Sequence, residues 1–251
     1  MDGSWRCRLC RWKERTPVSH STLKHVDPLR AEAPTEEPAP ANRPRVDLST
    51  FDNSWYDPGR GRAVRAIWYG VNLLVFASSV VPFSGPKRWL LRLFGAKVGR
   101  DVVIKPRVNI KYPWRVEIGD NAWIGEGVWL DSLTTIRIGS HCCISQGAYL
   151  CTGSHDWHSS SFDLIVKPIT LEQGVWICCR ALVLGGVTLA DHSILAAGST
   201  LTHDTQPYTV YRGNPAEPIR LTPAAEDAGA ITEPASGQTG SAPAQNPAGQ
   251  T

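Results

Sequence analysis

From Val98 to Leu201 an aliphatic side chain returns at a fixed interval. The positions are Val98, Ile104, Ile110, Ile118, Ile124, Leu130, Ile138, Ile144, Leu150, Leu171, Ile177, Val183, Leu189, Leu195 and Leu201, and most steps between them are six residues. A six-residue repeat of this kind is the signature of a parallel β-helix. Each unit supplies one short strand and one turn, with the aliphatic side chain pointing into a narrow core. Three units close a triangular coil, and coils stack at the sheet spacing of about 4.8 Å. A β-sandwich of short strands would instead show alternation with irregular turn spacing. Gly119, Gly125, Gly139 and Gly185 follow the aliphatic positions closely, where the chain is expected to turn tightly.

The exceptions to the beat are placed by it. Ile110 to Ile118 and Leu130 to Ile138 are steps of eight, and Leu150 to Leu171 is a step of twenty-one. They fall three units apart, so all three leave the same corner of the triangle. The last is a long loop, expected over 156–168, and long loops in compact repeat folds are functional or disordered. The stretch "CTGSHDWHSSSFDLIVKP" brings His155, Asp156, Trp157, His158 and Asp163 together. His155 is expected at the end of a strand just before the corner, held by the coil, with His158 freer. A general base needs a fixed position and a histidine-like proton affinity, so His155 is the better candidate. The competing reading is a surface histidine that hydrogen-bonds the loop. Asp131 follows Leu130 on the coil beneath and is expected on the same face. There it would accept a hydrogen bond from a substrate hydroxyl, or simply be solvated. Trp123, Cys143 and Trp176 each precede an aliphatic position and form an expected outward column, a flat wall for a ligand arm or for packing.

The rest of the 251 residues divides around this repeat. Residues 1–44 and 222–251 are rich in Pro, Ala and polar residues without periodicity and are expected to be disordered tails. Residues 45–96 read as helical and 97–221 as the β-helix. Within the helical part, "AVRAIWYGVNLLVFASSVVPF" (63–83) is nearly long enough to span a bilayer. It reads as a packing helix, an interfacial helix or a span. Basic flanks (Arg60, Arg62 and Arg65 before, Lys87, Arg88 and Arg92 after) favour contact with an anionic membrane surface. The formal charge of +3, with no basic run and interleaved aromatics, gives no reason to expect nucleic acid. The seven cysteines include one CxxC, Cys7 and Cys10, with no second to complete a zinc site. The other cysteines include two adjacent pairs, a poor geometry for disulfides. With no secretory signal in the sequence, all are expected as reduced thiols in a cytoplasmic protein.

Five motifs, "IGDNAWIGEGVWLDSLTTIRIG", "CTGSHD", "PITLEQGVWI", "GVTLADHSILAAGSTLTHD" and "YRGNPAEPIR", together resemble the hexapeptide-repeat O-acetyltransferases, among them the maltose and galactoside enzymes. Upstream, "VDLSTFDNSWYDPGRGRAVRAIWYGVN" and "LRLFGAKVGRDVVIKPRVNIKYPW" are similar to the colanic acid biosynthesis branch. The resemblance covers roughly 46–221. It implies a left-handed parallel β-helix, a homotrimer with sites between subunits, acetyl-CoA as donor without a metal, and a sugar or glycan acceptor. It implies His155 as general base; Asp131, Trp157 and His158 are the residues expected toward the acceptor. It assigns Trp176, Ala197, Gly198, Thr202, His203, Gly213, Asn214, Pro215 and Arg220 to the coenzyme, and Cys179 is expected to line the same path. Transfer would be direct, without an acetyl-enzyme, although Cys151 raises a ping-pong alternative. The activity would serve surface polysaccharide assembly, in the cytoplasm or at the inner face of the membrane. "NSWYDPG" (53–59) is expected at the acceptor end of the cleft.

Two departures bear on the coenzyme. Cys178 and Cys179 stand where the family has glycine and a small residue, which predicts a local shift of the coil. His203 replaces a lysine or arginine and would hold phosphate more weakly. Two other functions compete: a non-catalytic β-helix scaffold, and a zinc hydratase of the trimeric β-helix type using His141, His155 and His158.

Overall fold

The computed structural model describes residues 46–222. The expected N-terminal tail, Cys7 and Cys10 within it, and all but Thr222 of the C-terminal tail lie outside the described residues. The repeat folds as a three-faced solenoid of parallel strands. One face stacks β1 (Lys97–Val98), β4 (Val116–Ile118), β7 (Ile136–Ile138), β12 (Ile169–Leu171) and β15 (Thr188–Leu189). The second stacks β2 (Val103–Ile104), β5 (Trp123–Ile124), β8 (Cys143–Ile144), β13 (Trp176–Ile177), β16 (Ile194–Leu195) and β18 (Thr209–Gly213), and ends with β19 (Ala216–Leu221). The third stacks β3 (Asn109–Ile110), β6 (Trp129–Asp131), β9 (Tyr149–Cys151), β14 (Leu182–Leu184) and β17 (Thr200–Leu201).

The six-residue beat becomes an unbroken register. Ile110, Leu130, Leu150, Val183 and Leu201 are successive Cα partners, and each is buried. One aliphatic side chain per strand thus stacks on its equivalents above and below, and each such burial stabilises by about 1.5–3 kcal/mol. The glycines have a different reason from the expected tight turn. A Cβ on Gly139 would lie 2.6 Å from the carbonyl oxygen of Glu172, and one on Gly119 would lie 2.5 Å from the backbone nitrogen of Ser140. The next coil passes too close for a side chain. The tight turns instead fall one or two residues before the strands, at left-handed positions that non-glycine residues share. Asn121, His141, His192 and Tyr208 hold φ of 56°, 61°, 55° and 53° on one corner. The predicted shift at Cys178 and Cys179 is absent. Ile177 keeps its register with Ile144 and Leu195, and the carbonyl of Cys179 accepts from Gly198 N at 3.0 Å. The turn there is made by Arg180 at φ 56°, so neither cysteine has to occupy a glycine conformation.

A solenoid has two open ends, and each strand there would leave backbone groups unpaired. The upper end is closed by backbone, with β18 parallel on β16 and folding back as β19. The lower end is closed by side chains from α1 (Arg62–Val71) and α2 (Ser84–Leu93). Lys87 Nζ donates to the Lys105 carbonyl at 2.9 Å, Arg88 to that of Val102 at 2.9 Å and Arg92 to that of Gly99 at 2.7 Å. Trp68 Nε1 donates to the Ile110 carbonyl at 2.9 Å, and Asn72 Oδ1 accepts from Ile110 N at 3.2 Å.

These contacts correct the sequence reading of the basic flank. Lys87, Arg88 and Arg92 face the first coil, and Lys87 is fully buried. Its burial lowers the ammonium's proton affinity, a cost accepted in exchange for satisfied carbonyls. The 63–83 segment is likewise not one rod. α1 widens into a π-helical turn over Asn72–Phe76 and ends at Ala77, and among the described residues no helix is long and apolar enough to cross a membrane. Trp68, Phe76 and Leu91 pack inward, while Ile67, Leu74, Val80 and Phe83 are exposed.

Candidate active site

The twenty-one-residue step leaves the corner after β9, as its spacing requires, but it is not an irregular loop. Residues Gly153–His155 and Leu164–Val166 form β10 and β11, an antiparallel arm with His155 opposite Leu164. His155 therefore stands on the arm and not at the end of a coil strand, where it was expected. The arm is fixed at its base, where Lys167 N donates to the Thr152 carbonyl at 2.9 Å. Asp156 N to the Asp163 carbonyl, also 2.9 Å, closes its tip. Asp163 accepts from the hydroxyls of Ser159 and Ser161 at 2.9 and 2.7 Å. These bonds explain why a polar sequence holds one shape there.

The imidazole of His155 is half-buried and held on three sides. It stacks on Phe162 at 4.3 Å and 6°, and Phe51 tilts against it at 5.7 Å. Its Nδ1 lies 2.9 Å from the Phe162 carbonyl oxygen. A carbonyl can only accept, so Nδ1 carries the proton, and in the neutral ring Nε2 keeps its lone pair. The arrangement presents one oriented basic nitrogen.

Beside it lies a pocket of about 630 Å³. One wall is the strap that precedes α1, with Phe51, Asn53, Ser54, Tyr56 and Pro58. The strap thus carries the "NSWYDPG" residues to the His155 side of the molecule. Asp47 N donates to the Ser160 carbonyl at 2.8 Å, and Tyr56 Oη donates to that of Leu133 at 2.6 Å. Burial of the Tyr56 phenol pushes its ionisation up to about 12. Arg65, Lys111 and Tyr112 complete the floor and also line a second pocket of about 360 Å³ beside Trp129. Lys111 and Tyr112 had no signal in the sequence, and Arg65 stood out there only as part of the basic flank. They come from two segments, α1 and the stretch after β3, and share no spacing with the histidine.

The other expected residues fall into distinct places. Asp131 is buried and lines neither pocket. Its carboxylate lies 3.2 Å from Lys111 Nζ and accepts from Tyr149 Oη at 3.2 Å, so within the chain it positions Lys111. Trp157 and His158 are exposed at the tip of the arm, ring against ring at 3.7 Å. Trp176 does stand in the outward column, between Cys143 and Ile194, and its Nε1 donates to Ser145 Oγ at 3.0 Å. Cys179, Ala197 and Gly198 are exposed on successive turns of the corner between the second and third faces. Thr202 and His203 are exposed after β17, on the corner from which the arm leaves. Asn214 and Pro215 form the exposed turn between β18 and β19, Gly213 is exposed at the end of β18, and Arg220 lies on β19 opposite Val210. One chain therefore does not gather His155 and Trp176 into a single cleft. Among the described residues no His, Cys, Asp and Glu side chains cluster to hold a metal. His141 lies on a different corner from the arm. Cys151 Sγ points to the Gly153 carbonyl at 3.2 Å.

No family model matches the sequence. Over 161 residues the chain is 42% identical to Escherichia coli WcaF, which is named as a colanic acid biosynthesis acetyltransferase; the match spans 64% of this chain and 88% of that one. The galactoside O-acetyltransferase of Escherichia coli is 29% identical over 134 residues, covering 52% of this chain and 66% of its own. The crystal structure of a hexapeptide-repeat acetyltransferase from Vibrio cholerae, complexed with acetyl coenzyme A, superposes with a TM-score of 0.60 at 25% identity, over 66% of this chain and 91% of that one. With its register, its corner arm and these relatives, the chain belongs to the hexapeptide-repeat acetyltransferases, and its solenoid is a left-handed parallel β-helix.

Proposed function

We propose that this protein transfers an acetyl group from acetyl-CoA to a sugar hydroxyl during assembly of a surface polysaccharide, with His155 as general base. The observation that carries this reading is the 2.9 Å contact between Nδ1 of His155 and the Phe162 carbonyl, which leaves Nε2 as the basic nitrogen beside the pocket. Nε2 takes the proton of the acceptor hydroxyl as its oxygen attacks the thioester carbon. When the C–S bond breaks, the imidazolium returns that proton to the departing sulfur, and no enzyme-bound acetyl group is needed. The pathway reading rests on the similarity to WcaF.

The coenzyme would lie along Trp176, Cys179, Ala197 and Gly198 and reach Thr202, His203, Gly213, Asn214, Pro215 and Arg220. Small exposed residues on stacked turns suit a thin extended arm, and a Cβ on Gly198 would meet nothing within 4 Å. The separation of His155 from Trp176 within one chain supports a homotrimer whose sites form between subunits. Trp157 and His158, exposed at the arm's tip, would reach the acceptor or the neighbouring subunit. The exposed Ile67, Leu74, Val80 and Phe83 support peripheral contact with a membrane carrying the acceptor.

The test is transfer of labelled acetyl from acetyl-CoA to a panel of sugars and lipid-linked glycans. His155→Ala should lower kcat/KM by about 10²–10⁴-fold, the usual worth of a positioned general base, with the melting temperature retained. Equal rates in both proteins would remove His155 from the mechanism. Coenzyme binding without turnover on any acceptor would favour the scaffold.

A further inference from the structure

The two pockets share Arg65, Lys111 and Tyr112 as walls, so they meet at a junction floored by cations. The charges there are not balanced. Lys111 has a counterion in Asp131 at 3.2 Å. Arg65 has none: among the described residues its guanidinium makes no ion pair or hydrogen bond, and its Nε is shielded from solvent without a partner. Arg115, which lies 5.4 Å over the ring of Tyr56 in the larger pocket, spends its donors on neutral groups, the carbonyls of Leu133 and Asp57. No carboxylate lines either pocket. A buried donor without a partner is costly, and a guanidinium free of protein partners is suited to a carboxylate or phosphate, which it can grip with two parallel bonds.

We infer that Arg65 binds an anionic group on the acceptor, a carboxylate or a phosphate, and so selects a charged sugar over a neutral one. This deepens the acyl-transfer reading and rests on it for the word acceptor. The order along the groove assigns the ends. His155 lines only the larger pocket, so the reacting hydroxyl lies there, and the anion lies at the junction. Trp129 and Tyr69 in the smaller pocket offer ring faces beyond the anion for a further sugar. Asp131 gains a role from the same geometry: by neutralising Lys111 it leaves Arg65 as the uncompensated cation of the shared wall.

The experiment is a calorimetric titration of the full chain at low salt with glucose, glucuronate and glucose 1-phosphate, repeated with Arg65→Gln and Arg65→Lys. At least one anionic sugar should bind ten-fold or more tighter than glucose. Arg65→Gln should erase that gap, and Arg65→Lys should keep part of it. Glucuronate ahead of glucose 1-phosphate would identify a uronic acid, and the reverse a sugar phosphate. Equal binding of all three, binding of none, or a gap that survives Arg65→Gln in a protein with unchanged melting temperature would overturn the inference. His155→Ala should preserve the gap. A gap with no acetyl transfer to any acceptor would therefore sink the catalytic reading while sparing this one, and transfer with no gap would do the opposite.

Discussion

The stacked coils and the arm that leaves them after β9 are built from opposite kinds of contact. In the coils, the side chain that matters is the aliphatic one in every six, and its partners are its own equivalents one coil away. Ile110, Leu130 and Leu150 could exchange places with little change. In the arm no residue has an equivalent. His155 is fixed by one carbonyl and two rings from Phe51 and Phe162, and the tip by serines bonded to Asp163. Repetition gives the coil a cooperative core. The arm, freed from the repeat, can hold a polar side chain in one orientation because its base is rigid.

Substitutions should divide along the same line. Loss of His155 is expected to cost rate and leave stability. Leu150→Ala should do the reverse, because it empties a fully buried position between Leu130 and Val183. Deleting such a side chain costs about 2–5 kcal/mol, read as a lower urea midpoint with an unchanged slope. Acetyl transfer per folded molecule should stay within about two-fold, the arm's own contacts being intact. A large loss of kcat at temperatures where the variant is folded would show that coil and arm are coupled.

The lower cap sharpens the contrast, since it serves the coil with polar contacts. Lys87→Met keeps the volume of the stem and removes the ammonium that the carbonyls of Lys105 and Ile104 face, at 2.9 and 3.5 Å. Leaving buried acceptors unsatisfied costs about 1–3 kcal/mol. A neutral or stabilising result would mean that the desolvation of the charge, visible in its lowered proton affinity, outweighs the bonds it makes. Either sign should leave His155 chemistry untouched.

The coil was legible in the sequence because its rule is periodic: fifteen aliphatic positions in phase fix face, corner and register together. The corner of the arm followed from the same count. The arm's pairing did not, because Ser154 and Ile165 face each other across a pair whose alternation is too short to read. The cap failed for a different reason. Lys87, Arg88 and Arg92 look like a charged surface until the carbonyls of the first coil are in place, and those belong to residues seven to eighteen positions away. Phe51, Tyr56, Arg65 and Lys111 meet at the pocket from three stretches of chain, which no spacing links. Gly139 is legible in the sequence as a special position, but its cause is not, since it is backbone from the following coil that excludes its Cβ.

The smallest expected effect concerns the strap, which belongs to neither class: it touches the coil through Tyr56 and the arm through Asp47. Tyr56 donates to the Leu133 carbonyl at 2.6 Å. Burial is the main cause that raises its ionisation to about 12, opposed by Arg115 and reinforced by the charges of Tyr112, Asp131 and Asp57. An unfolded tyrosine ionises near 10. Between those limits the folded protein holds a proton that the unfolded chain has released, so stability must fall as pH rises through that window. The bond's contribution is complete below about pH 10 and is lost on approaching 12. Tyr56→Phe cannot ionise and should show a shallower alkaline decline in urea unfolding between pH 9 and 11.5, by up to one proton in the slope. Lysines, arginines and the remaining tyrosines titrate in both proteins and cancel in the difference. Parallel curves would mean that Tyr56 meets solvent freely and that the strap lifts from the pocket. A shallower curve would place the strap with the coil, as a permanent wall of the acceptor site.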